Sequence, residues 1–600
     1  MKYREIIPLK QKPDFNLTLP GSKSITNRVF LCATLAKGKS RIYGALKSDD
    51  AEVMISALKK VGISIQEKKG CIEIRGGGLN NKKATLDLHN AGTATRFLTA
   101  AMVLRGAETV ITGCKRMQER PIGDLVDGLR QLGADIEYIK KEDFPPIKIK
   151  GRKSYNVNRK SYVVRINGDK SSQYFTALLM LAPTLDKPVI IEVIGDLVSK
   201  PYIDITIDVL KKFGIKIKNN NYKSFHIKPQ AYKIGDYVVE GDASGASYWT
   251  SIAHLHGGKV KFMNLSKKSV QGDIKYEEVF KNVKNEKLIN SVINMSAMPD
   301  AAMTLAVSAS FFKGQTKIIG LSTLRIKETD RLAALENELK KIGVSVKTTK
   351  NSITIQGHRK RNTEHSGGKL FPVSCVLCPI KTYDDHRMAM CFAVVGTMIP
   401  GIVIEDPDCT DKTYPTFWED LERSYLSPIK LGKRNLVLTG MRASGKSYLG
   451  KRIAKHLKRT FVDLDKEIEK SEKMTITEIV KSKGWEYFRS VEQKMCSRYK
   501  AEESLVIATG GGVILDEKNM KALKKGGMNI LIFSDISSLK ERLSKKTDRP
   551  SLKGQRKAHE ELVEVWNERR DLYLKYADIT WDNTSGEIVK NNLENLFIKK

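Results

Sequence analysis

The octapeptide Gly440-Met-Arg-Ala-Ser-Gly445-Lys446-Ser447 constrains this chain more than any other stretch. It follows an apolar run, residues 435–439, and fits G-x-x-x-x-G-K-[ST], the loop whose backbone amides cradle phosphates. Such a loop stands after the first strand of its own α/β domain. Here more than four hundred residues precede it. The chain is therefore expected to be two machines joined near residue 430.

Charge needs an explanation first. The 600 residues carry a net charge of +36. That balance fits a nucleic-acid binder, sites for multiply anionic small molecules, or simply basic solvated faces. The lysines are dispersed, with no basic arm and no aromatic-interleaved patch, which weighs against nucleic acid. Eight cysteines lie mostly in apolar segments, as suits a reducing compartment. Cys375-Val-Leu-Cys378 lacks a second ligand pair and reads as packing rather than a metal site. No apolar run reaches the ~18–20 residues of a membrane span. The opening MKYREIIPLK lacks the apolar core of a signal peptide. A cytoplasmic protein is expected, with no membrane and no nucleic-acid partner.

Two patterns recur in the first 425 residues. In the first, a helix ends in Gly and runs straight into an alternating strand: LKKVGISIQ (58–66), LRQLGADIEY (129–138), LKKFGIKIK (210–218) and LKKIGVSVK (339–347). The Gly stands where a helix C-terminus wants positive φ. In the second, an Ala-rich helix, a Gly or Pro turn and a strand follow one another. It appears as LAKGKSRIYG, LRGAETVITG, LDKPVIIEVIG, HGGKVKFMN, FKGQTKIIG and MIPGIVIED. One supersecondary unit is reused. Six units point to two domains of three, apolar helices inside and sheets around them.

Basic residues recur in the Gly/Ser/Thr-rich turns between units: PGSKSITNR from Pro20, NAGTATR from Asn90, ERPI at 119–122, SSQ at 171–173, SKPY at 199–202, KETDR at 327–331, DHRMAM at 385–390 and DPDCTDKTYP from Asp406. Arg offers a planar fork that takes phosphate or carboxylate with two bonds. So many forks imply a substrate with several anionic groups. In this order the strings resemble 5-enolpyruvylshikimate-3-phosphate (EPSP) synthase, over residues 1–425. The resemblance implies transfer of enolpyruvyl from phosphoenolpyruvate to the 5-hydroxyl of shikimate 3-phosphate, by two hinged globules closing on the substrates without a cofactor. It assigns Lys23, Ser24, Arg28, Ser171, Ser172, Gln173, Ser199, Tyr202, Asp300 and Lys327 to shikimate 3-phosphate. Lys23, Gly92, Arg120, Gln173, Arg331, Arg387 and Lys412 fall to phosphoenolpyruvate. Asp300 looks like the base, and Glu328 and Lys23 like proton donors or shuttles. A carboxylate ringed by cations keeps a low pKa and is a ready base. An N-cap role for Asp300 on the following helix is the plainer alternative. Phe97 and Thr323 stand where many relatives have Pro and Asn.

Behind the phosphate loop, Thr460-Phe-Val-Asp463-Leu-Asp465 reads as a strand with two carboxylates on one face, at period two. Gly484-Trp-Glu-Tyr-Phe-Arg489-Ser-Val-Glu492 follows, then a strand ending in Gly510-Gly511-Gly512, where amides can approach a small ligand closely. Thr547-Asp-Arg549-Pro lies in a Lys/Gly-rich segment with the composition of a mobile lid. Together these resemble shikimate kinase over residues 434–600. The resemblance implies transfer of the ATP γ-phosphoryl group to the 3-hydroxyl of shikimate, with Mg²⁺. It assigns Gly440, Ala443, Ser444, Gly445, Lys446, Ser447, Tyr448, Arg542 and Arg549 to ATP, and Ser447 and Asp463 to the metal. Asp465, Arg489, Gly511, Gly512 and Arg569 would hold shikimate. Lys446, Asp465 and Arg549 would be the catalytic groups, the last stabilising transferring charge.

The expectation is an α/β chain: a pair of three-unit inside-out globules, then a P-loop parallel sheet flanked by helices. The first globule would cover about 19–236 and the second about 1–18 with 237–425. A linker would span 426–434 and a kinase 435–600. Its partners would be shikimate, ATP, phosphoenolpyruvate and shikimate 3-phosphate, and the chain would act as a monomer. The alternatives are a UDP-N-acetylglucosamine-type enolpyruvyl transferase fused to another small-molecule kinase, and a basic nucleic-acid binder.

Overall fold

The computed structural model describes residues 2–152, 160–284, 290, 292–357, 377–544 and 560–597. Cys375 and Arg549 lie outside them. Each of the six recurring turn-and-strand units lands in a different sheet. Three four-stranded sheets share one construction. Strand Ala84–Asp87 lies parallel to Thr109–Thr112, which pairs antiparallel with Ile147–Arg152, which pairs antiparallel with Ala134–Tyr138. The same order recurs in the sheet of Tyr162–Asn167 and Val189–Ile194 and in that of Asp236–Val238 and Gly38–Tyr43. Strand Asp236–Val238 thus belongs wholly with the first set, just across the expected border at 236.

The second set repeats the construction once in full, around Gly314–Ile319. The other two are trimmed: three strands around Ile402–Glu405 and two at Lys259–Phe262. Both draw on the chain's beginning. Tyr3–Ile6 pairs antiparallel with Ile402–Glu405, and Asp14–Leu17 pairs parallel with Lys259–Phe262.

Local chemistry explains the repeats. Gly62, Gly133, Gly214 and Gly343 have φ of +96°, +92°, +82° and +82°. Only glycine takes that left-handed turn from helix to strand without strain. The Ala-rich helices Lys23–Leu35, Gly92–Met102, Ser172–Leu181, Ala243–Leu255, Pro299–Ala309 and His386–Met398 are buried almost all round. A helix apolar on every side belongs inside. Small side chains let three such helices pack together with sheets as the outer wall.

The last region is one five-stranded parallel sheet. Its order is Thr460–Asp463, Leu505–Ala508, Asn435–Thr439, Gly527–Phe533, Ile579–Asp582. Helices cover it, so its strands read as continuous apolar runs. The strand carrying the phosphate loop is central.

The segment 426–434 is folded into the structure. Ile429 bridges to Phe597 and donates to Leu596 O at 2.7 Å, while Ser427 Oγ donates to Lys12 O at 2.8 Å. Ile429 and Leu431 are buried. One continuous apolar cluster holds Ile6, Phe417 and Tyr425 together with Phe533, Trp566 and Tyr573. The sheet of Tyr3–Ile6 and Ile402–Glu405 is therefore packed against the phosphate-loop domain. No helix among the described residues is long and apolar enough to cross a membrane.

Candidate active sites

Three inner helices of the first globule begin at one cleft. Lys23, Gly92 and Ser172 are their first residues. The free N–H groups and positive ends of helices favour anions there. Across the cleft, Asp300, Arg331 and Arg387 lie in the first turns of Pro299–Ala309, Arg331–Lys341 and His386–Met398. Two adjoining cavities share Arg120, Gln173, Tyr202 and Lys327. The first is lined by Lys23, Arg28, Arg120, Lys327, Arg331 and Arg387 against only Asp50, Asp300 and Glu328. A substrate must bring the missing negative charge.

Asp300 is the hub of this cleft. Its Oδ1 accepts from Arg331 Nη1 at 2.9 Å. Its Oδ2 accepts from Arg387 Nη2 at 3.0 Å and from the Tyr202 hydroxyl at 3.2 Å. Burial alone would raise its pKa, but Arg387, Lys327 and Arg331 overcome it and hold the carboxyl far below the usual carboxylate range. The helix is capped at Met298 with no side-chain bond, so Asp300 is not an N-cap.

Glu328 pairs with Arg331 at 2.9 Å and with Lys412 at 4.0 Å. Burial pushes its pKa up, yet Arg331, Lys412, Arg120 and Lys23 outweigh that and lower it. Those four cations therefore favour the ionised form of Glu328. Arg331 is clamped from behind, donating to Asp385 at 2.7 and 3.1 Å. Arg120 sits on Gly92, where a Cβ would meet its Nη2 at 2.4 Å. Arg28 donates to Ser24 O, Thr206, Thr176 and Tyr202 O, and its guanidinium lies 5.2 Å from the Phe97 ring.

The second cavity gathers Ser171, Ser172, Gln173, Ser199 and Tyr202. Ser171 caps its helix by accepting from Gln173 N, and Gln173 reaches Thr93 at 3.2 Å. Lys23 pairs with Asp50 at 3.3 Å. The sequence reading missed Asp50, which follows Ser48 and Asp49 and looks only like a helix start. Arg116, four residues before Arg120 in the same basic turn, ties the globules together by donating to Glu328 O at 3.1 Å and Lys327 O at 3.0 Å.

In the second site, Gly440 (φ +145°), Ala443 (φ +62°) and Gly445 (φ +100°) turn the loop that opens helix Lys446–Leu457. A Cβ on Gly440 would stand 2.3 Å from Ile532 O. Lys446 Nζ donates to Gly440 O at 2.9 Å and Met441 O at 2.8 Å. Ser444 is buried; Ser447 and Tyr448 are exposed in the first turn. Asp463 ends its strand opposite Ala508, which pairs in turn with Leu438, so its carboxylate and the phosphate loop share one end of the sheet.

The period-two reading of Asp463 and Asp465 is corrected here. The strand stops at Asp463, and Asp465 sits in the first turn of helix Leu464–Glu472. Helix geometry, not strand alternation, aims it: a Cβ on Gly510 would lie 2.6 Å from its Oδ1. Arg489 pairs with Glu492 at 2.5 Å and packs where a Cβ on Gly512 would fall. Arg569 Nη1 and the Tyr573 hydroxyl both donate to Gly511 O. Asp465, Arg489, Arg569 and the three glycines thus share one corner. Arg542 donates to Ser534 Oγ at 2.9 Å and to the carbonyls of Asn583 and Thr584 at 2.8 and 2.7 Å.

Comparison with known proteins matches both halves. The family model described as EPSP synthase (3-phosphoshikimate 1-carboxyvinyltransferase) matches residues 11–421, and that described as shikimate kinase matches residues 442–596. A 3-phosphoshikimate 1-carboxyvinyltransferase of Aliivibrio fischeri is 42% identical over 432 residues, 68% of this chain and 97% of that protein. One from Shewanella woodyi is 43% identical over 423 residues, 67% of this chain and 95% of its own length. In fold, the solved EPSP synthase of Acinetobacter baumannii overlays with a TM-score of 0.57 at 23% identity, covering 71% of this chain and 98% of that one. The chain belongs to the EPSP synthase family and carries a shikimate kinase domain behind its transferase.

Proposed function

We propose that the chain is a bifunctional shikimate-pathway enzyme whose domains act against chain order. The kinase, residues 435–600, phosphorylates shikimate at the 3-hydroxyl. The transferase, residues 1–425, then moves enolpyruvyl from phosphoenolpyruvate to the 5-hydroxyl of that product and releases phosphate.

In the transferase, cations from both globules neutralise the two anionic substrates. Lys23, Ser24, Arg28, Ser171, Ser172, Gln173, Ser199, Tyr202 and Lys327 hold shikimate 3-phosphate. Gly92, Arg120, Arg331, Arg387 and Lys412 hold phosphoenolpyruvate beside Lys23 and Gln173. Asp300, ionised and buried, takes the 5-hydroxyl proton; Glu328 and Lys23 relay protons to the methylene carbon. No cofactor is invoked in that half.

In the kinase, loop amides and Lys446 cradle the ATP phosphates. Asp465 orients the attacking hydroxyl, while Arg489, Arg569, Gly511 and Gly512 grip the shikimate carboxylate. Arg549 would join from outside the described residues. Mg²⁺ suits the hard oxygen donors of Ser447 and Asp463 at the loop end of the sheet, where it would neutralise phosphate charge. Small molecules are the only partners invoked, and the chain works as a cytoplasmic monomer.

One observation carries the reading: a cation-lined cleft with a single ionised hub, Asp300, is joined to a phosphate-loop site whose corner groups suit a carboxylated polyol. The test uses the full chain with each activity supplied separately. Lys446→Ala should abolish ATP-dependent phosphorylation of shikimate and spare enolpyruvyl transfer to added shikimate 3-phosphate. Asp300→Ala should do the reverse. Either variant retaining both activities would refute the assignment.

A further inference from the structure

The loop after the last strand of the kinase sheet, residues 582–586, meets the phosphate loop directly. Asn583 Nδ2 donates to Ser444 O at 2.9 Å, and a Cβ on Gly445 would stand 2.8 Å from that nitrogen. Arg542 grips the same loop through the carbonyls of Asn583 and Thr584. Its position therefore sets where the carbonyl of Ser444, and the amides beyond it, can lie.

Its other side is held by the transferase. Glu422, buried on helix Phe417–Ser424, accepts from Ser585 N at 3.1 Å on Oε1 and from Ser585 Oγ on Oε2. Arg4, on strand Tyr3–Ile6, donates to Glu422 at 2.9 Å and to Asp582 at 3.1 Å. Asp582 in turn accepts from Thr584 N at 3.0 Å. Charges buried this deeply are costly unless paired and hydrogen-bonded, as Arg4 is with Glu422 and Asp582.

We infer that Glu422 and Arg4 of the transferase are positioning residues for the kinase, holding residues 582–586 so that the phosphate loop is preorganised for nucleotide. The inference rests on the reading of Gly440–Ser447 as the nucleotide loop. Neither residue touches ATP; both act through the loop. A second carboxylate of the interface, Glu5, accepts from Trp566 Nε1 at 2.8 Å and contacts no residue of 582–586 by hydrogen bond, so it serves as a control.

The experiment compares full-length Glu422→Ala, Ser585→Ala and Glu5→Gln with the unaltered chain. ADP is titrated by calorimetry, and KM for ATP, KM for shikimate and both kcat values are measured below the melting transition. Glu422→Ala is expected to raise the ADP Kd and the ATP KM about tenfold, and Ser585→Ala about threefold. The shikimate KM and the transferase constants should stay within twofold. Glu5→Gln should leave ADP affinity unchanged. Unchanged ADP affinity in both Glu422→Ala and Ser585→Ala would overturn the inference. So would an equal loss in Glu5→Gln, which would mean that ADP affinity follows any change at the interface rather than the hold on residues 582–586. Because ADP binding is read directly, an intact chain that bound ADP yet failed to phosphorylate shikimate would refute the proposed kinase reaction and still decide this one.

Discussion

Glu5→Gln also isolates a pH effect of the interface. Burial pushes the Glu5 carboxyl up from 4.5 to about 7; the Trp566 bond and Arg570 oppose the rise, and Asp535 and Asp582 add to it. Arg4 and Glu422 are further charged groups beside the adjoining Asp582. A raised acid binds its proton more tightly folded than unfolded. Its stabilising contribution is therefore fully present below pH 4.5 and is lost as pH climbs through 7. At 1.36 kcal/mol per unit, the gap is worth about 3 kcal/mol. Glutamine keeps an acceptor for Trp566 and cannot ionise. Denaturant unfolding of full-length chain and variant, followed at pH 4.5, 6 and 8, should show their stability difference moving by about 3 kcal/mol in favour of glutamine. Titrating groups that do not interact with Glu5 cancel in the difference. Parallel profiles would refute the claim that burial controls this carboxyl.

Two further substitutions probe the sites themselves. Gly440→Ala places a methyl 2.3 Å from Ile532 O at φ +145°, so phosphorylation of shikimate should fall at least a hundredfold while enolpyruvyl transfer is unchanged; retention of kinase activity would refute the fit. Arg331→Met leaves Asp300, Glu328 and Asp385 without their shared cation. It should abolish transfer and cost about 3–5 kcal/mol in urea unfolding, with the activity loss read separately from supplied shikimate 3-phosphate; a loss below about 1 kcal/mol would refute the triad's role.

Much of this architecture was legible because it repeats. The glycines at 62, 133, 214 and 343 each mark a left-handed helix exit, and each recurring turn begins a strand of its own sheet. Motif order likewise foretold which side chains meet at the cleft, since Lys23, Gly92, Ser172, Asp300 and Arg387 all occupy helix starts. Three things were not legible. Asp465 looked like a strand residue because its spacing from Asp463 matches a strand, while the chain had already turned into a helix. Asp50 had no motif around it, because its role comes only from Lys23 folding toward it. The segment 426–434 read as a linker by composition; its burial depends on Leu596 and Phe597 at the far end of the chain. Long-range pairing leaves no local signature.

The placement of the first strand sets a clock on synthesis. Tyr3–Ile6 leaves the ribosome long before its sheet partner Ile402–Glu405, and the Trp566 that meets Glu5 emerges still later. At about 5–20 residues per second, the roughly 400 residues between the strand and its partner take about 20 to 80 seconds. The first globule has its own closed apolar cluster, running from Ile25 to Val239, and can assemble meanwhile. Tyr3–Ile6 stays without its sheet partner throughout. A chain that stops between residues 240 and 402 therefore holds one finished globule and a stranded Tyr3–Ile6, and a chain that ends before Trp566 never closes the seam between its two enzymes.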